Sequence, residues 1–257
     1  MRLPAFILLP LIFAAITSAA ALAECERRQY EGNHWIVCRF DAARDEISLR
    51  WAGEDGKPLY TFSALRAALE REGRELVFAM NAGMFDPQYR PAGLYVENGR
   101  RIRALNTRRG KGNFHLMPNG VFWISGRRAG VTETSDFKRL RLRPRYATQS
   151  GPMLVISGRI HPRFRRDSDS RKLRNGVGVS KDGRTVWFAI SEGLVNFHAF
   201  ARLFRDHLKT PNALFLDGGI SQICAPALGR CSSWFSMGPM VVVSKPRDPA
   251  PPDEGGQ

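Results

Sequence analysis

Four times between residues 98 and 184 a polar side chain is followed by Gly-Arg: Asn98-Gly99-Arg100, Ser125-Gly126-Arg127, Ser157-Gly158-Arg159 and Asp182-Gly183-Arg184. Each triplet sits between apolar runs that alternate with period two, and each puts a glycine where a tight hairpin needs positive φ. Hairpins join antiparallel neighbours without a crossover, so the middle of the chain is constrained to a β meander. The intervening strands share no period or register, which excludes a domain repeat. Around the meander, His34 to Phe40 and Ile47 to Trp51 alternate as strands, and Glu75 to Met80 reads as a buried strand. Arg139, Arg141, Arg143 and Arg145 alternate with Leu140 and Leu142, which predicts a further strand with its guanidinium groups on one face.

Two stretches depart from period two. Thr61-Phe62-Ser63 opens a short helix through Glu70, with Ser63 as its expected cap and Gly73 as its stop. From a cap at Asn196, the residues Phe197, Phe200, Ala201, Phe204 and Leu208 fall on one helical stripe, which Pro211 ends. Ala213 to Leu216 then reads as a buried strand, and Val241 to Val243 as the last one. The expected architecture is α+β: a large mixed, mostly antiparallel sheet core with a few flanking helices. The 257 residues, 43% of them hydrophobic, suffice for such a core, and no interior linker divides residues 24–244, which read as a single domain. From Lys245 onward, KPRDPAPPDEGGQ offers nothing to bury and reads as a disordered tail, residues 245–257.

The first residues address the compartment. Arg2 precedes an uncharged run from Leu3 to Ala20, and Ala21-Leu22-Ala23 fits the small-x-small box of a signal peptidase, so residues 1–23 read as a cleaved signal peptide. A retained anchor is the rival reading, weakened by Pro10 and by the cleavage box. The expected location is periplasmic or secreted. Cys25, Cys38, Cys224 and Cys231 are then an even set bound for an oxidising space. Three connectivities exist, and Cys25 to Cys38 with Cys224 to Cys231 close the simplest loops. Neither close pair has the C-x2-C spacing of a zinc site.

Cations outnumber anions 39 to 24, and only 7 of the 39 are Lys. Arg presents a planar fork of donors, so the excess points to phosphorylated ligands, acidic glycans or lipid headgroups. Nucleic acid fits poorly, because the basic stretches lack interleaved aromatics and secretion removes most nucleic acid from reach.

Five segments could carry chemistry. Asn81-Ala82-Gly83-Met84-Phe85-Asp86 follows a buried strand, and a glycine there lets the backbone turn so that Asn81 and Asp86 face a cleft. Gln149-Ser150-Gly151-Pro152 precedes an apolar run, but Ser150 lacks the G-x-S-x-G elbow of a nucleophile. Between Arg159 and Arg174 seven cations gather. Most are a solvated loop, and Arg174, next to Asn175-Gly176, is the one expected at the cleft to clamp a phosphate. Asp217-Gly218-Gly219 ends a strand, where burying an unpaired acid costs several kcal/mol, which favours a functional role over a structural one. Ser191-Glu192-Gly193 supplies a second carboxylate, and two acids at strand ends suit glycoside hydrolysis.

Taken together, NAGMF at Asn81, QSGPMLV at Gln149, RNGVGV at Arg174 and LDGGIS at Leu216 resemble the phosphodiester glycosidase family, over roughly residues 76–243. The resemblance implies an α plus β fold and the cleavage of a sugar from a sugar-1-phosphodiester, giving free sugar and a phosphomonoester. Ile220 stands where family members often have a third glycine, and Asn175 where they have a small residue, so the sugar specificity does not transfer. On this reading Asp217, Glu192 and Arg174 are catalytic. Asn81, Gly83, Asp86, Gln149, Ser150, Gly151, Asn175, Gly218, Gly219 and Ser221 would line the substrate site. No motif fixes a cofactor; oxygen donors of Asn81 and Asp217 leave room for Ca²⁺ or Mg²⁺. The expected partner is a phosphorylated or anionic carbohydrate, with no stable protein partner implied. The rival reading is a non-catalytic binder that holds an anionic glycan or the envelope surface through its arginines.

Overall fold

The computed structural model describes residues 24–231 and 233–247. The expected signal segment and the expected tail beyond residue 247 lie outside the described residues. The chain is α+β, one domain of antiparallel sheet with three α-helices among the described residues. Its strands divide among three sheets. The first has 7 strands in the spatial order Cys25–Tyr30, Asn33–Asp41, Thr185–Ser191, Asn175–Val179, Asn212–Phe215, Met153–Ile156 and Arg159–Ile160. The second has 5: Arg230–Cys231, Ile223–Ala225, Arg74–Asn81, Met240–Pro246 and Glu46–Arg50. The third also has 5: Arg100–Arg103, Tyr95–Glu97, Tyr146–Ser150, Gly120–Ser125 and Arg128–Glu133. Every pairing among these strands is antiparallel.

All four Gly-Arg triplets close hairpins, with Gly99, Gly126, Gly158 and Gly183 at φ of +76°, +56°, +77° and +73°. The three sheets converge on one apolar interior. Phe78 of the second sheet lies 5.1 Å from Phe188 of the first, ring centroid to centroid, and Phe122 of the third lies 5.8 Å from the same ring. The expected disulfides form, Cys25–Cys38 and Cys224–Cys231, each between residues already paired across neighbouring strands.

Helix α1 (Phe62–Arg71) covers the outer face of the second sheet with Phe62, Leu65 and Leu69. Its cap is Thr61 rather than Ser63. Thr61 keeps an extended backbone and its Oγ1 accepts the Ala64 N–H at 3.1 Å, satisfying a donor the first turn leaves free.

Helix α2 (Thr134–Leu140) replaces the strand expected from the Arg-Leu alternation. Glu133, Ser135 and Asp136 put hydrogen-bonding and acidic groups at its start, Phe137 is buried, and Arg141 ends it at φ +49°. Residues 141–145 are irregular, so the arginines share no strand face.

Helix α3 (Phe197–Arg202) starts at Asn196, whose Oδ1 accepts the Ala199 N–H at 2.9 Å, and continues as a π-helical turn, Leu203–His207. It lies on the first sheet, where Phe200 stacks on Trp35. Gly178 permits this approach, since a Cβ there would fall 2.6 Å from Phe204 and from Thr210.

The expected tail also needs correction at its start. Lys245 and Pro246 extend the last strand, paired with Glu75 and Arg74, because those edge positions offer both main-chain partners and a carboxylate to Lys245.

Candidate active site

The second sheet and the first end at a common point. Asn81 closes strand Arg74–Asn81, Asn175 opens strand Asn175–Val179, and Asp217 follows strand Asn212–Phe215 by two residues. The two asparagines are fully buried and tie these ends together. Asn175 Nδ2 donates to Asn81 Oδ1 at 2.9 Å and to the Asn81 carbonyl at 2.8 Å. Asn175 Oδ1 accepts the Asp217 N–H at 3.0 Å, and Asn81 Nδ2 donates to the Asp217 carbonyl at 3.2 Å. Ser221 Oγ donates to the same carbonyl at 2.9 Å, while Asn81 Oδ1 accepts the Gln222 N–H at 2.9 Å. Buried amides with every group engaged rigidify a site, since any looser arrangement would leave a polar atom unpaired.

The network fixes the Asp217 backbone and leaves its carboxyl half-buried. Oδ1 accepts the Gly219 N–H at 2.9 Å; Oδ2 has no partner among the described residues, and no cation pairs with the group there. Burial pushes this carboxyl up to about 6, against the smaller opposite pull of the Gly219 N–H. A carboxyl that titrates near neutrality can give and take protons at working pH. Gly218 is required by packing, because a Cβ would lie 2.8 Å from Phe215 and 3.0 Å from the Leu173 carbonyl. Gly219 is exposed, and a Cβ there would meet only Asp217 Oδ1, at 3.5 Å. The approach to Asp217 is therefore from the Gly219 side.

Glu192 follows strand Thr185–Ser191 at the same end of the first sheet as Asn175, since Ile190 pairs with Asn175. Its Oε1 lies 3.1 Å from Arg230 and 3.5 Å from Arg27. Two cations on one carboxylate leave this cluster net positive and partly open to water.

Several expected site residues are engaged within the fold. Arg174 is 1% exposed and faces helix α3, opposite to its neighbour Asn175. Its guanidinium lies 3.5 Å from the Phe197 ring centroid, with Nε and Nη2 donating to the Val195 and Ser170 carbonyls at 2.8 Å. No carboxylate faces it among the described residues, and desolvation lowers it to about 10. This packing corrects the phosphate-clamp expectation. Gln149 has all its amide groups bonded internally, to Leu94, Asn106 and Thr134. Ser150 Oγ donates to the Leu216 carbonyl, and Gly151 is enclosed by Asn119 and Phe114. Asp86 holds its own turn, accepting from Gln88 and Arg90, and Gly83 packs on Thr148. Ser150 thereby braces the strand end next to Asp217, while the polar groups of Gln149 and Asp86 are occupied within the fold.

The donor set fits a divalent cation badly. Asn81 Oδ1 already accepts two protein hydrogen bonds, leaving Asp217 Oδ2 as the free anionic oxygen, and no cluster of three His, Cys, Asp or Glu occurs among the described residues.

Other residues escaped the sequence reading. Gln222 Oε1 accepts the N–H groups of Trp234 and Phe235, and its Nε2 donates to the Phe235 carbonyl at 2.9 Å. A residue bonded to Asn81 thus carries two aromatic side chains, 82% and 61% exposed. An isolated Ser-Ser-Trp-Phe segment gave no periodic signal, and only its two unburied aromatics could have drawn notice. Arg230, two residues past the 3₁₀ turn Pro226–Leu228, likewise belongs to no motif.

Comparison with known proteins bears on the family and on the fold. The phosphodiester glycosidase family matches residues 74–225. The uncharacterized protein YigE of Escherichia coli (strain K12) is 38% identical over 179 residues, 70% of this chain and 69% of its own. Among solved structures, the zebrafish N-acetylglucosamine-1-phosphodiester alpha-N-acetylglucosaminidase catalytic domain, auto-inhibited by its pro-peptide, aligns with a TM-score of 0.56. Identity to it is 16%, over 85% of this chain and 81% of that one. A hypothetical protein from Synechocystis aligns with a TM-score of 0.51 at 13% identity, over 86% and 61%. At those identities the likeness is one of fold.

Proposed function

The chain belongs to the phosphodiester glycosidase family, and from that premise we propose that it hydrolyses a sugar-1-phosphodiester to free sugar and a phosphomonoester. The observation that carries this reading is Asp217: a carboxyl at a strand end, held by two buried asparagines, unpaired and raised to about 6. In such a diester the leaving group is already a stable anion, so protonating it matters little and the barrier lies at an oxocarbenium-like carbon. Asp217 Oδ2 takes a proton from the attacking water. The water oxygen bonds to the anomeric carbon as the bond from that carbon to the phosphate oxygen breaks, its electron pair leaving with the phosphate.

The phosphate is held by Arg230 and Arg27, oriented by Glu192, and not by the enclosed Arg174, which positions the loop beneath. Trp234 and Phe235 form an apolar rim against which a sugar face or aglycone rests. The two disulfides suit an oxidising space and support an extracytoplasmic location, periplasmic or secreted. Among the described residues no helix is long and apolar enough to cross a membrane.

The test is release of free sugar from a panel of sugar-1-phosphodiesters, including the N-acetylglucosamine type that the zebrafish enzyme's name records. We expect turnover by the wild type, a loss of about 10³-fold or more in Asp217→Asn, and a rate that climbs with pH through about 6. If no substrate is cleaved while a phosphorylated glycan is retained equally by wild type and Asp217→Asn, the protein is a binder and the catalytic assignment is wrong.

A further inference from the structure

The third sheet has a second apolar face turned away from the shared interior. Strand alternation sends Tyr95 inward and Leu94 and Val96 outward, and the outward pair joins Val121, Ala147 and Phe137 in a small buried cluster. Among the described residues, helix α2, two turns long, the irregular segment 141–145 and Leu105 cover that face. The cover is incomplete. A groove of about 920 Å³ remains, floored by Leu94, Val96, Phe137, Leu105 and Leu142.

Its rim has one sign. Arg101, Lys138, Arg141, Arg143 and Arg145 all line the groove, and no Asp or Glu does. None of the five forms an ion pair among the described residues, and the neighbouring Asp136 carboxylate is occupied by Arg139. Five cations held close without counter-charges repel one another, and a partner that neutralises them relieves that repulsion.

A simple anion would use the rim and leave the floor wet; a neutral lipid would use the floor and leave the rim uncompensated. The volume lies within the range of ligand pockets, and Arg forks fit phosphate oxygens in pairs. From this juxtaposition we propose that the groove is a binding site, separate from Asp217, for an anionic amphiphile: one acyl chain on the Leu94–Val96–Phe137 floor, its phosphate head on the Arg141 and Arg143 rim.

The probe is monomeric 1-oleoyl lysophosphatidic acid, titrated calorimetrically into the full chain against monoolein, inorganic phosphate and phosphatidylglycerol vesicles. We expect lysophosphatidic acid to bind at least tenfold more tightly than monoolein or phosphate, with the negative heat-capacity change that apolar burial produces. Arg141→Glu combined with Arg143→Glu should weaken it at least tenfold while sugar release at Asp217 is unchanged. Leu142→Trp, which fills the floor from a half-buried position, should weaken both chain-bearing ligands and leave phosphate alone. If Leu142→Trp fails to fold, the charge pair and the comparison of ligands still decide. Equal binding of phosphate and lysophosphatidic acid would reduce the groove to an anion site. Binding of vesicles without monomer would make it a membrane-docking face, and binding untouched by the charge reversal would place the ligand elsewhere; each result overturns the proposal.

Discussion

Asp217→Asn should make the protein more stable, and only above acidic pH. The folded carboxyl stands at about 6 against 3.8 for the free group, because burial disfavours its charge. The folded state therefore holds this proton more tightly than the unfolded one. Below about pH 4 both states are protonated and the charge costs nothing. Between 3.8 and about 6 the cost grows, and above about pH 7 it is fully present. A gap of about two pH units at ~1.4 kcal/mol each sets an upper bound of about 3 kcal/mol. The carboxyl keeps some contact with water, which brings the expected gain to about 1–2 kcal/mol. Asparagine is isosteric, its carbonyl can still accept the Gly219 N–H, and it carries no charge. In thermal unfolding followed by calorimetry, the variant should melt about 2–8 °C higher than wild type near pH 7.5. The two should coincide near pH 4. A variant less stable near neutrality, or a difference of the same size at both pH values, would mean that the carboxylate is not a desolvated charge, and the base assigned to it would have no basis.

Arg174→Lys should lower stability by about 2 kcal/mol in urea unfolding, since a single ammonium cannot serve both the Val195 and Ser170 carbonyls or stack on Phe197 as the planar fork does; activity of the folded fraction should persist. Replacing Cys25 and Cys38 together by Ala should cost about 3 kcal/mol, as expected for opening a loop of 13 residues, read as a lower urea midpoint for the variant than for wild type. Trp234→Ala should raise KM several-fold for sugar phosphodiesters with a melting temperature within 1 °C of wild type, because the indole is 82% exposed and contributes little to the core. Arg230→Ala should raise KM for phosphodiesters by a larger factor than it raises the inhibition constant of the free sugar as a competitive inhibitor.

Local signals were readable where the physics is local. The four hairpins follow from glycines needing positive φ, and α3 from an apolar stripe behind an asparagine cap. Helix α2 was hidden because Arg139 to Arg145 imitates strand alternation; the better signal was Thr134-Ser135-Asp136 ahead of Phe137. The division into three sheets rests on pairings such as Asn81 with Met240 and Gly176 with Phe215, which join distant residues and leave no mark in either segment. At the site, the motifs marked the right loops. What they concealed was direction: Gln149, Ser150 and Arg174 look like ligand contacts in sequence, yet their polar atoms are satisfied inside the fold. Asn175 and Arg174 are adjacent and face opposite ways, a distinction that only the strand's pleat supplies.

The bonds from Asn175 to Asn81 cross from one sheet to another beneath the Asp217 backbone. A joint pinned there stiffens the two sheets against bending about that point. Any opening around a bound ligand would then fall to the Gly218–Ile220 turn and to the side chains of Trp234 and Phe235, whose main chain Gln222 ties to the same network. Slow steps of turnover would be sought in those loops, and their stiffening by a bound sugar would be the first motion to measure.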